Sequence, residues 1–366
     1  MSKRNLVDAQ SAVSAVFKKL VGGETALTDA SIEAASALEL KEIGDAMSQL
    51  ITNKETQQST RVAALTALGK LKDPGLGQLL NTLTDDYDVL PRLLAATTAQ
   101  LVAQTSPDQA VGLLKKSLSD IRVGQSLKGE DLVERQIALK TLGDMKDDAS
   151  VDLLKSTLKL LVEGKLAKQI RLDAVMAAAA RQDEVCNGLL EIHQENVNKS
   201  GVPTDQFVDT LYGGDIEKGA KIFYGKTEVS CVRCHRIGGT GGKVAPYLSA
   251  IGKTHDRRYI LESIVEPSKQ IAVGHAQVIV LTDEGMMHTG VVKEETDTLM
   301  ALMDSDGNVT RVDKDMIDEM KAGKSGMPEG LHKLLTMSEL RDLVAFLKDQ
   351  VDLDSLPASQ KQGHGE

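Results

Sequence analysis

The decapeptide SCVRCHRIGG, residues 230–239, sets two cysteines and a histidine within five residues of a chain that contains only three cysteines in all. Its flanks are helix signals and turn signals. Before it runs GDIEKGAKIFYG, residues 214–225, where Asp215 is placed to cap a helix and Phe223 falls on the inward face. After it comes the Gly-rich RIGGTGGKVAPYL, residues 236–248, and then a helix expected from about Asp256 to Val265, ahead of Pro267.

Further out, from His275 to about Val312, the period of the apolar residues switches to two. AQVIVLT (276–282), MMHTGVVKE (286–294), TLMALMD (298–304) and VTRV (309–312) read as strands separated by DEG, ETD and the hairpin-type SDGN. Met286, Met287, Met300 and Met303 are expected to pack on these strands; His275 and His288 are outside candidates as metal ligands, and are expected rather to be surface or strand histidines. TMSELRDLVAFLKDQ, from Thr336, opens with a capping box, Glu339 following Thr336 by three residues. The polar tail, residues 351–366, reads as disordered.

Upstream of NVNKSGVPTDQF (196–207), whose Gly, Pro, Ser and Asn mark a boundary, the chain reads as consecutive amphipathic helices. Segments beginning at Arg61, Arg92, Arg135 and Arg171 share an Arg, an Ala/Leu-rich helix, a polar turn and a second helix ending in Leu-Leu. Their starts lie 31, 43 and 36 residues apart, which suits a helix-pair solenoid resembling HEAT repeats. The expected domains are residues 1–200, with 1–34 unassigned, and 201–350, with the strands inserted at about 275–312.

A C-x-x-C-H run is the attachment signature of a c-type haem: each thiol adds S–H across a porphyrin vinyl group, and the histidine faces the iron. Cys231 and Cys234 are the candidate thioether residues and His235 the candidate proximal ligand. A zinc site needs a further Cys/His pair, and the third cysteine, Cys186, falls in the repeat region. A redox dithiol calls for a strand–helix context that the glycines do not supply. Cysteines buried as small hydrophobes fit poorly among Ser, Arg, His and Gly. Met327, in KSGMPEGL, is the candidate distal ligand, shaped by Gly326 and Pro328; a His/Met pair raises the potential and suits electron transfer.

The order GDIEKGAKIF, CVRCHRIGGTGGKVAPYLSAIG, YILESIVEPSKQI, SGMPEGL and LTMSELRDLVAFL resembles the haem-binding domain of Planctomycete and Verrucomicrobium type, over about residues 205–350. The resemblance implies a cytochrome c-like fold, often found after HEAT-like repeats and a sugar-dehydrogenase-like propeller. It implies one haem c per chain, and a proline whose carbonyl holds the proximal imidazole. Pro246 matches that proline, preceded by Ala245 where the family often has glycine. The 92 residues between His235 and Met327 exceed a minimal cytochrome c, and the strands account for them.

The expected fold class is therefore mainly α: an N-terminal HEAT-like α-solenoid, then a cytochrome c-like helical domain with a small antiparallel β insertion. A formal charge of -10 argues against nucleic acid as a partner. No apolar run is long enough to span a membrane. Residues 218–258 nevertheless carry nine Lys/Arg against two Asp/Glu, and residues 259–366 ten against twenty. That basic segment suits an acidic redox partner, or equally offsets haem propionates and the acidic remainder of the same domain. The expected function is electron transfer, with a dehydrogenase-like partner or domain as donor and no substrate-converting site in this chain. Rival readings are a haem enzyme or sensor with an open distal side, and an interaction scaffold with a structural haem or metal. Covalent haem attachment takes place outside the cytoplasm, whereas MSKRNLVDAQSAVSAVF lacks the apolar core of an export signal. A truncated N-terminus and a periplasmic or cell-surface location are expected.

Overall fold

The computed structural model describes residues 11–12, 14–15, 25–85, 91–305 and 307–353. Most of the start of the chain read for an export signal, the tail beyond residue 353 and Asp306 of the SDGN turn lie outside the described residues. The chain divides into two compact units, Met1–His193 and Gln194–Glu366. It is mainly helical with a small antiparallel sheet. No helix among the described residues is long and apolar enough to cross a membrane.

The first unit contains α1 (Thr25–Ala37), α2 (Gly44–Thr52), α3 (Gln58–Leu71), α4 (Leu76–Asp85), α5 (Arg92–Val102), α6 (Pro107–Ser117), α7 (Glu130–Asp144), α8 (Asp148–Val162), α9 (Arg171–Arg181) and most of α10 (Glu184–Asn198). Helices α1, α3, α5, α7 and α9 each pack on the next of that series, and α6 packs on α8. Small residues allow the close approach: a Cβ added at Gly143 of α7 would lie 2.8 Å from the Ala177 Cα of α9. Three of the four arginines that open the repeat-like segments bond carbonyls at or just past the ends of other helices, whereas Arg135 bonds the Asp131 carbonyl within its own helix. Arg61 Nε donates to the Ile51 carbonyl at 2.7 Å, and Arg171 donates to the carbonyls of Leu166 and Gly164 at 3.2 and 3.1 Å.

In the second unit, α11 (Ile216–Gly225) begins at Asp215, whose carboxylate accepts from the amides of Glu217 and Lys218. Helix α15 (Met337–Asp349) begins at Thr336 with both bonds of the capping box present. The two helices cross where α11 has no side chain: a Cβ at Gly219 would sit 2.1 Å from the Asp342 carbonyl oxygen and 2.6 Å from the Phe346 Cβ. Around that crossing lies a core of Ile222, Phe223, Leu340, Leu343, Val344 and Phe346, joined by Ile260, Leu261 and Ile264 of α14 (Arg257–Val265). Phe223 and Phe346 meet with ring centroids 5.6 Å apart. Burial of one such ring contributes about 1.5–3 kcal/mol.

Between α14 and α15 stands a five-stranded antiparallel sheet in the order β6-β5-β4-β3-β7. Its strands are β3 (Ala276–Thr282), β4 (Met287–Glu295), β5 (Leu299–Met303), β6 (Val309–Asp313) and β7 (Ile317–Ser325). Val280, Met300, Leu302 and Val312 form its core. Strand β7 extends the sheet past the stretch expected to be extended. Its sequence, IDEMKAGKS, is an edge strand exposed along most of its length, so no apolar alternation marks it. The expectation for the methionines divides: Met300 is buried, whereas Met286 is 48% and Met287 71% exposed. Both lie at the tip of the β3–β4 hairpin, where nothing covers them.

Candidate functional site

The two cysteines lie on α12 (Cys231–Cys234), a single turn entered through Ser230 in the left-handed conformation, φ 43°. Its hydroxyl donates to the Thr227 carbonyl at 2.5 Å, which offsets part of the cost of that backbone state. Neither thiol is in a disulfide, both are part-buried, and they stand one helical turn apart. Burial pushes the Cys231 thiol up, with its own backbone opposing and Cys234 adding to the rise.

His235 follows directly, and its Nδ1 lies 2.9 Å from the Pro246 carbonyl oxygen. That contact assigns the proton to Nδ1 and leaves Nε2 as the nitrogen with a free lone pair. Burial pushes the imidazole below the ordinary histidine value, the Pro246 carbonyl opposing, so the ring is neutral. The loop that delivers Pro246 folds back through β1 (Arg236–Ile237) and β2 (Thr240–Gly241). It is then sewn to the motif by Gly242 N to Val232 O at 2.9 Å, Ala245 N to Cys234 O at 3.1 Å and Leu248 N to Arg236 O at 2.9 Å. Gly242 is required for that path: a Cβ there would fall 1.9 Å from the Arg233 carbonyl oxygen. Gly241 is required twice over, by its φ of +117° and by the His235 carbonyl oxygen 2.1 Å from the would-be Cβ.

Met327 is part-buried and packs against the same apolar cluster as Cys231. Its amide donates to the Ser325 hydroxyl at 3.2 Å, tying it to the end of β7. Cys186 is elsewhere: it is fully buried in the first unit's core, and burial, reinforced by Asp183, pushes its thiol up to about 11. Among the described residues no group of three or more His, Cys, Asp or Glu is arranged to hold a metal ion.

Residues 216–307 match the model of the family Cytochrome c. That segment of the second unit is thus similar to a cytochrome c domain, which supports a haem-binding reading. No curated protein matches the chain. The matched segment contains the C-x-x-C-H turn, the Pro246 loop and the first strands of the sheet, and ends before Met327.

The residues present fit a haem. The donor set is two unbridged thiols one turn apart and a neutral imidazole whose outer nitrogen is already bonded. Haem iron in such a domain accepts and releases one electron, and the protein supplies its ligands, burial and potential. The sequence offers His275 only as an outside candidate ligand, more readily a surface or strand histidine. It is part-buried, and its Nδ1 is buried with no hydrogen-bond partner among the described residues. A lone histidine ahead of a strand carries no signal of that burial.

Proposed function

We propose that this chain is an electron carrier holding one covalently bound haem c. In this reading Cys231 and Cys234 make the thioether links, His235 Nε2 is the proximal ligand, Pro246 orients it, and Met327 is the distal ligand. The observation that carries the reading is the Nδ1 contact of His235 with Pro246, beside two unbridged thiols on the preceding turn. It leaves one imidazole nitrogen for iron and fixes the ring's direction. Met327 is supported by its place in the cluster that also contains Cys231, and by the Ser325 tie that orders its loop.

Residues 201–350 constitute the haem domain in this proposal, and the first unit, with its series of packed helices, is a HEAT-like scaffold for docking. The electron donor is a dehydrogenase, on a partner or on an accompanying domain such as a sugar-dehydrogenase-like propeller. Exposed Lys221, Arg233, Lys243 and Lys253 offer it an electropositive approach. Thioether formation places the mature protein in the periplasm or at the cell surface.

The test is an absorption spectrum, oxidised and reduced, of protein exported alongside haem-maturation machinery, with a denaturing gel stained for haem. A covalent low-spin haem is expected, with a weak red methionine band that Met327→Ala abolishes. A high-spin spectrum, or a band indifferent to Met327→Ala, would overturn the ligand assignment, and absence of covalent haem would overturn the proposal.

A further inference from the structure

The five-stranded sheet ends at β7, whose one strand neighbour among the described residues is β3. Its other edge therefore presents backbone amides and carbonyls as a template for a further strand. Strand β7 is nine residues long and Asp318 to Ala322 are all exposed, whereas β6, at the opposite edge, has five residues.

Long exposed edges are commonly blunted by charge, above all by lysine. In β7 the charges are ordered in another way. Its sequence, IDEMKAGKS, sets the acids Asp318 and Glu319 before Met320 and the bases Lys321 and Lys324 after it. A strand of that polarity is complementary to itself when reversed.

Pairing with β3 fixes which side chains share a face. Met320 lies opposite Val280, and Val280 opposite His288, so Met320 continues the row that holds the sheet's core. Val280 is fully buried, yet Met320 is 54% exposed, an apolar row left open at its end. Glu319 and Lys321 stand on the other face, opposite Leu281 and Ile279, and meet each other at 2.8 Å.

Antiparallel pairing of β7 with β7 of a second copy, about a two-fold axis, sets one residue opposite its own counterpart. Centred on Asp318, Glu319 or Lys321, the pair brings like charges face to face, which is destabilising. Centred on Met320, it sets Glu319 opposite Lys321 of the second copy on both sides of the axis. Each carboxylate then has one lysine beside it along its own strand and another across the ladder, four charges of alternating sign on one face. On the other face the two exposed methionines meet and close the apolar row.

We propose that β7 is a self-docking edge: two copies of this chain pair β7 to β7, antiparallel and centred on Met320, into one continuous sheet. The inference goes beyond the electron-transfer reading and does not rest on it. An interface of one strand on one strand is small, so the dimer is a weak one, formed in the micromolar range.

The test is sedimentation of the full mature chain between about 1 and about 100 µM, over which the parent is expected to shift from monomer to dimer. Glu319→Lys and Lys321→Glu should each weaken the dimer at least about tenfold, because each sets two like-charged pairs across the axis. Both side chains are exposed, so neither change disturbs the core. An equimolar mixture of the two variants should regain the parent's dimer, since every lysine across the axis then faces a glutamate. The double variant Glu319→Lys/Lys321→Glu should pair with itself as the parent does. Amides of residues 317–323 should exchange more slowly at the high concentration than at the low one in the parent, and alike at both in each single variant. A parent that stays monomeric, a dimer that both single variants leave intact, or a mixture that does not regain it would overturn the inference. So would growth beyond two copies, because a two-fold contact closes on itself. None of these outcomes touches the haem reading, which stands or falls on its spectrum.

Discussion

Gly219→Ala adds one methyl group at the crossing of α11 and α15, and the structure leaves no room for it. The new Cβ would stand 2.1 Å from the Asp342 carbonyl oxygen, about 1.3 Å inside ordinary van der Waals contact, which begins near 3.4 Å, and 2.6 Å from the Phe346 Cβ. The carbonyl belongs to a helical turn of α15 and cannot withdraw alone, so the two helices must part by about 1 Å. Parting loosens the Phe223–Phe346 contact and the Leu343 and Val344 packing beneath it. Overpacking of this kind costs about 1–3 kcal/mol, against which alanine's better helix propensity returns about 0.5–1 kcal/mol. Because the clash is with backbone, a net loss near 2 kcal/mol is expected, roughly a 30-fold rise in local opening. Gly225→Ala, at the end of the same helix with nothing within 4 Å, is the matched control and should be neutral or slightly stabilising. The assay is hydrogen exchange of peptides 216–225 and 337–349 in the full chain, alongside urea unfolding. If the two variants change exchange in those peptides alike, close backbone approach does not govern this crossing and the reasoning fails.

Two further predictions concern buried charge. Arg181 donates to the carbonyls of Leu142, Met145 and Asp147 and to the Ser150 hydroxyl, at 3.1, 2.7, 2.5 and 2.8 Å, so Arg181→Met orphans several buried acceptors. A loss of about 2–4 kcal/mol is expected, read as an earlier urea midpoint for the first unit; an unchanged midpoint would refute it. Burial pushes the Asp342 carboxyl above its usual range, although the Asp215 amide and the charges of Arg341 and Lys218 favour the carboxylate. A raised carboxyl contributes most stability below its unfolded value, near 3.9, and that contribution is lost as pH rises through the folded value. Asp342→Asn keeps an oxygen for the Asp215 amide, so its stability relative to the parent should improve between about pH 4 and pH 7. A parent-to-variant difference that is flat across that window in a pH series of urea titrations would refute the assignment.

Local signals in this chain act over three or four residues, and those are the ones that can be read without coordinates. The caps at Asp215 and Thr336 are of this kind, since each side chain satisfies amides two or three positions away. So is the C-x-x-C-H run, whose thiols and imidazole share one turn because of their spacing. Alternation revealed β3 to β6, where one face is buried, and failed for β7, whose exposed edge has no apolar face to display. The tips of hairpins misled in the opposite sense: Met286 and Met287 continue a strand-like pattern but stand beyond the sheet's core.

By itself, then, the sequence determined the helical first half, the strand insertion, and the grouping of Cys231, Cys234 and His235, because each depends on neighbours along the chain. Tertiary structure alone decided that the Pro246 carbonyl meets His235 Nδ1 from eleven residues away. It also decided that Lys293 reaches back to Val244, and that the Met327 loop is tied to the end of β7. Those contacts join residues separated by tens of positions or set by a loop's path. They exist because Gly241 and Gly242 permit the chain to fold back on the motif, and because the register shift between Val292 and Glu294 redirects Lys293 toward it.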